Sequence, residues 1–188
     1  MNEESETYIQ NTLDRPLVLI GLMGVGKTRL GRQLAKRLQM PFYDSDDEIE
    51  KAAGMSVSDI FAKLGEDSFR DGEKKVIDRL LKQGPCVIAT GGGAIMNEET
   101  QQKVAQSAWS IWLKADIATL VSRTSRRKTR PLLASGDPHE ILSALADKRY
   151  PVYQKADMVL DCSQSIKPPV LRRAIDTIET YIKENHAR

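Results

Sequence analysis

The stretch "GLMGVGKT", Gly21 to Thr28, limits what this chain can become more than any other part of it. It follows the apolar run "PLVLI" and precedes "RLGRQLAKRL", in which Leu30, Leu34 and Leu38 fall on one helical face. Gly21, Gly26, Lys27 and Thr28 satisfy the spacing G-x-x-x-x-G-K-[ST], and the strand before and helix after supply the context such a match requires. Gly21, Gly24 and Gly26 permit a tight turn whose successive N–H groups point inward as an anion nest, backed by the positive end of the helix. Lys27 then reaches the β- and γ-phosphates of a nucleotide, and Thr28 offers its hydroxyl to Mg²⁺. A glycine-rich turn with a chance lysine explains less, because motif, strand and helix agree.

The rest of the chain repeats this alternation. Short apolar runs near 16–20, 40–43, 86–90, 109–113 and 157–160 are separated by helical patterns, with a last helix near 168–183. This predicts an α/β fold, one parallel sheet covered on both faces, in a single domain over 16–185. Residues 1–15 carry Glu3, Glu4, Glu6 and Asp14, unlike a signal or transit peptide, and read as a loose, flexible polar tail. Cys86 and Cys162 lack metal-type spacing and imply reduced thiols in the cytoplasm. No apolar stretch is long enough for a membrane span. With 28 basic and 26 acidic residues, the net charge of +2 gives no sign of a nucleic-acid partner.

In a sheet of this kind ligands bind beyond the carboxyl ends of the strands. After "MPFY" comes "DSDDEIE", where Ser45 and Glu48 fit a capping box and the acids complement a helix dipole. Asp44, at the strand tip beside the phosphate loop, is less well explained that way and can hold a water of the Mg²⁺ shell. Asp46 stands at the same edge, where an acceptor hydroxyl would meet the γ-phosphate. The strand "CVIAT" ends in Gly91-Gly92-Gly93 and not in the aspartate many nucleotide enzymes place there, which strengthens the case for Asp44. The three glycines would let a ligand press against bare backbone N–H groups. Gly65 is expected to stop one helix, and Phe69, Val76 and Leu80 mark the face of the next. Arg70 and Glu73, three apart, read as a surface pair contributing roughly 0.2–0.5 kcal/mol.

The segment "RTSRRKTR", Arg123 to Arg130, holds five basic residues in eight and leads into "PLLASGDPHE". A solvated face is the ordinary explanation of such a run. A lid near 125–138 that closes over phosphates accounts for the charge, Pro131 and the Gly136-Asp137-Pro138 exit together. Arg149, in "DKRYPVY", would be an unremarkable cation near a helix C-terminus by itself.

The ordered set of the phosphate loop, "DSD" at 44–46, "FRDGE" at 69–73, "TGGG" at 90–93, "RPLL" at 130–133 and "KRYPVY" at 148–153 resembles the shikimate kinase family over nearly the whole chain after its first residues. The resemblance implies a three-layer P-loop kinase fold with a five-stranded parallel sheet, like the nucleoside monophosphate kinases, and a moving lid. It implies ATP- and Mg²⁺-dependent transfer to the 3-hydroxyl of shikimate, on the route to chorismate and the aromatic amino acids; nothing in the sequence suggests an obligate interface, so a monomer is expected. Carried over by position, Asp46, Arg70, Gly91, Gly92, Gly93 and Arg149 resemble the shikimate site, with Lys27, Asp46 and Arg130 as the catalytic set. Gly24, Val25, Gly26, Lys27, Thr28 and Arg29 would hold ATP. Arg130 would contact the transferring phosphate and Arg123 would flank adenine, near a loop around "QSIKPP". Thr28, with Asp44 acting through water, would serve the metal.

Planar guanidinium groups bind carboxylates as bidentate pairs, which gives Arg70 and Arg149 a reason to be arginine if the acceptor is a small carboxylic acid. A gluconate-type sugar kinase would share the phosphate loop and the fold without this motif order. A GTPase switch should show N-K-x-D and D-x-x-G, and neither string occurs. An inactive relative would lack Lys27, Asp46 or a substrate arginine, and all are present.

Overall fold

The computed structural model describes residues 3–124, 136–163 and 167–186. In chain order the elements are α1 (Glu3–Thr12), β1 (Leu17–Ile20), α2 (Lys27–Arg37), β2 (Phe42–Asp44), α3 (Ser45–Ala53), α4 (Val57–Leu80), β3 (Val87–Ala89), a 3₁₀ turn (Ala94–Met96), α5 (Glu98–Ser107), β4 (Trp109–Lys114), α6 (Ile117–Thr124), α7 (Pro138–Tyr153), β5 (Met158–Asp161) and α8 (Val170–His186). The five strands form one parallel sheet in the order β2-β3-β1-β4-β5. This is the fold expected of the alternation, with each strand within two residues of its predicted place.

Strand chemistry matches strand position. β1 and β3 are buried at every residue, as strands covered on both faces must be. The edge strand β5 alternates, with Met158 and Leu160 inside and Val159 and Asp161 outside. Helix α8 covers one face with Ala174, Ile175, Ile178 and Ile182, and α2 contributes Leu30, Leu34 and Ala35. Each such fully buried Leu or Ile contributes about 1.5–3 kcal/mol relative to exposure. The phosphate loop leaves the central strand β1, flanked by β3 and β4, so the turns after β1, β2 and β3 meet at one edge.

One local expectation changes and another holds. The N-terminal residues are not a loose tail: Glu3–Thr12 is helical, and Ile9 is fully buried. Glu6 pairs with Arg37 at 2.7 Å, and the Lys183 ammonium lies 5.2 Å from the Tyr8 ring, so polar residues that looked solvated instead face α2 and α8. Gly65 does break the helix, with φ 82° and ψ 172°, yet helix resumes at once and α4 runs on to Leu80.

Among the described residues no helix is long and apolar enough to cross a membrane. Cys86 and Cys162 are buried free thiols whose pKa values burial pushes up to about 11.

Candidate active site

The phosphate loop is built as its glycines require. Gly21, Gly24 and Gly26 have φ of 145°, 84° and 105°, in the region that favours glycine. A Cβ on Gly21 would lie 2.5 Å from the Leu113 carbonyl, so the loop is pressed against β4. Val25 buries its side chain in the core and offers the ligand only backbone. Lys27 opens α2 and folds over the loop, donating to the carbonyls of Gly21 at 2.7 Å and Leu22 at 3.2 Å. Arg29 is exposed one residue beyond Thr28.

Asp44 ends β2 and joins this loop to the start of α3. Its Oδ2 accepts from the Thr28 hydroxyl at 2.7 Å, and its Oδ1 accepts from the Asp46 amide at 3.1 Å. Asp44 is therefore the N-cap of α3, and the predicted Ser45–Glu48 capping box does not form. The reason is competition for both side chains. Ser45 Oγ accepts the Gly91 N–H at 2.9 Å, and Glu48 is held by Lys51 at 2.7 Å and Arg79 at 2.8 Å.

Asp46 is exposed as a residue, but its carboxylate lies against Gly91 in the turn after β3. Partial desolvation there, and next the neighbouring Asp44, push its pKa up against the opposing pull of Lys27.

The glycine turn after β3 brings the remaining groups together. A Cβ on Gly91 would lie 2.9 Å from both Asp46 Oδ1 and Glu73 Oε1. On Gly92 it would meet Arg149 Nη1 at 3.0 Å, and on Gly93 the Arg70 guanidinium at 2.9 Å. These glycines thus leave room for the ends of charged side chains, Asp46 and Glu73 at Gly91, Arg149 at Gly92 and Arg70 at Gly93, which a Cβ would push aside. The amide of Gly91 is not bare as expected, since Ser45 takes it; those of Gly92 and Gly93 make no hydrogen bond among the described residues.

Arg149 and Glu73 depart from their sequence readings. Arg149 is buried in α7, so it is not a solvent-facing helix-end cation. Glu73 is only 3% exposed, so its pair with Arg70, at 2.8 Å, is not a surface one. Its Oε1 is buried without a hydrogen-bond partner among the described residues. Burial raises the Glu73 pKa, and Arg70 only partly offsets this. A signal existed: Phe69, Glu73, Val76 and Leu80 share one helical face, and a glutamate on an apolar stripe calls for explanation.

Arg123 donates to the carbonyls of Val25 at 3.2 Å and Cys162 at 2.9 Å, tying the phosphate loop to the turn after β5. Arg130 and most of the expected lid lie outside the described residues, as do residues 164–166 of the "QSIKPP" loop.

A family model described as shikimate kinase matches residues 23–179. The chain belongs to the shikimate kinase family. A shikimate kinase from Caulobacter vibrioides is 47% identical over 173 residues, covering 92% of this chain and 84% of that one. The shikimate kinase from Acinetobacter baumannii, solved in complex with shikimate, superposes with a TM-score of 0.82 at 32% identity, over 97% of this chain and 99% of its own. A gluconokinase from Sinorhizobium meliloti, covering 92% of this chain and 94% of its own, reaches a TM-score of 0.58 at 16% identity, a likeness of fold alone. As a member of the shikimate kinase family the chain is an enzyme, an ATP-dependent kinase of the pathway to chorismate and the aromatic amino acids.

Proposed function

We propose that this cleft transfers the γ-phosphoryl group of ATP to the 3-hydroxyl of shikimate, giving shikimate 3-phosphate and ADP. One observation carries the assignment of the acceptor site: Arg70 and Arg149 converge on Gly93 and Gly92, beside Asp46, at the edge where the phosphate loop opens. Two guanidinium groups suit a carboxylate, and a carboxylate base next to them suits the hydroxyls of the same small ring.

The loop amides from Gly24 to Thr28 hold the phosphates of ATP. Lys27 leaves the Gly21 and Leu22 carbonyls for the β- and γ-phosphates, an exchange of neutral acceptors for anionic ones. Arg123 flanks the adenine from its seat on the loop, and Arg29 borders the nucleotide. Asp46 accepts a hydrogen bond from the attacking hydroxyl and takes up its proton, a task its raised pKa favours. Arg130, assigned from its place in the sequence, neutralises charge on the transferring phosphoryl group under a lid over 125–138. The phosphoryl transition state is loose, so positioning and charge neutralisation weigh at least as much as proton transfer.

The metal donor set fits Mg²⁺. Thr28 Oγ1 and Asp44 Oδ2 are hard oxygens 2.7 Å apart, and no cluster of three His, Cys, Asp or Glu occurs among the described residues. That combination suits an ion that keeps most of its waters and takes phosphate oxygens from the nucleotide. Bound there, it would supply positive charge to the phosphates. The enzyme is read as a cytoplasmic monomer.

The test is ADP release with ATP and Mg²⁺ against shikimate, gluconate, nucleoside monophosphates and no acceptor. Shikimate alone should stimulate turnover strongly; equal turnover with and without it would refute the reading.

A further inference from the structure

Tyr153 closes α7 with no exposed surface at all. Its ring is packed beside Trp112 and Tyr150, with centroids 6.1 and 6.3 Å away, and its hydroxyl donates to the Gly92 carbonyl at 2.5 Å. One turn earlier on the same helix, Arg149 sits against Gly92, where a Cβ would also come within 3.5 Å of the Gly21 carbonyl. Gly92 is thus the point at which α7, the acceptor side and the phosphate loop touch.

A glycine–glycine peptide has little steric resistance to reorientation, since neither neighbour carries a Cβ. In a trans peptide the carbonyl and the following N–H point in opposite directions. Anchoring the Gly92 carbonyl on the buried Tyr153 hydroxyl therefore also fixes which way the Gly93 N–H points, away from the tyrosine. Preceding it, the Gly91 N–H is anchored on Ser45 Oγ, which is itself fully buried. Burial pushes the Tyr153 pKa up to about 12, so its proton stays in place as a donor across the working pH range.

We infer that Tyr153 is a positioning residue for phosphoryl transfer: its hydroxyl locks the Gly92–Gly93 peptide with the Gly93 amide directed at the acceptor, in register with Arg149. The inference rests on the acceptor reading above. It adds a residue that touches neither substrate and acts through a backbone plane and through Arg149, whose side chain also interacts with the Tyr153 hydroxyl.

Tyr153→Phe removes one oxygen from a packed ring and leaves the Gly92 carbonyl without its donor. KM for shikimate should rise on the order of tenfold, while KM for ATP is unchanged and the melting temperature falls by no more than the few degrees that one lost hydrogen bond accounts for. Packing damage would instead move the melting temperature and both KM values together, and that result would overturn the inference. In the wild-type protein, ¹³Cζ-labelled tyrosine should show a slowly exchanging Tyr153 hydroxyl proton with and without shikimate; rapid exchange would also overturn it. The two readings fail differently. Wild-type protein that does not turn over shikimate refutes the acceptor site, whereas active wild type with an unchanged KM in Tyr153→Phe refutes the positioning role alone.

Discussion

Arg70 Nη1 lies 2.8 Å from Glu73 Oε2 while the other oxygen of that carboxylate is buried with no hydrogen-bond partner among the described residues, so the arginine is aimed by an acid that the fold only half satisfies. Because the folded protein raises the Glu73 pKa, stability falls as pH rises through that value and is recovered on acidification. Glu73→Gln removes the buried charge. Its melting temperature at neutral pH should equal or exceed that of the wild type, with the difference shrinking toward acidic pH. KM for shikimate should nevertheless rise, since Arg70 loses its buried counter-charge and keeps only the exposed Glu66 at 3.1 Å. A large drop in melting temperature would mean that the ion pair is a net stabiliser.

Asp44 and Asp46 should separate by kinetics. Asp46→Asn should lower kcat by roughly 10²–10⁴ with ATP binding retained, and Asp44→Asn should act mainly on the Mg²⁺ requirement. The acid limb of kcat/KM should fall at a pH above the usual aspartate value of about 3.9, because the folded state raises the Asp46 pKa. Asp44→Asn should move that limb down without restoring the ordinary value, since desolvation outweighs the like charge. A limb unmoved by Asp44→Asn would show that another group sets it.

The docked N-terminal helix should be a matter of stability and not of catalysis. Ile9→Ala leaves a cavity beneath α1 and should cost about 2–5 kcal/mol, read by denaturant unfolding, with both KM values unchanged. An unaffected midpoint would return these residues to the status of a loose tail.

Much of this was legible because periodicity and glycine spacing are local signals. The phosphate loop and strands could be read from short windows, and so could the placement of Asp44 and Asp46 at a strand tip. What escaped the sequence depended on partners far away in the chain. Ser45 looked like a cap because Gly91, 46 residues on, was not yet beside it. Tyr153 gave no sign of its acceptor 61 residues earlier. The acidic character of residues 3–6 hid the buried Ile9, since one apolar residue in a polar helix makes a weak amphipathic signal.

The central claim is that Arg70 and Arg149 bind the acceptor's carboxylate, and the sharpest measurement compares kcat/KM for shikimate and its methyl ester across arginine variants. In the wild type the acid should exceed the ester by roughly 10- to 150-fold, the range for a hydrogen bond to a charged group. The ratio should fall in Arg70→Ala and in Arg149→Ala and approach one in the double variant. A wild-type enzyme indifferent to esterification, or a ratio that survives loss of both arginines, would contradict the account.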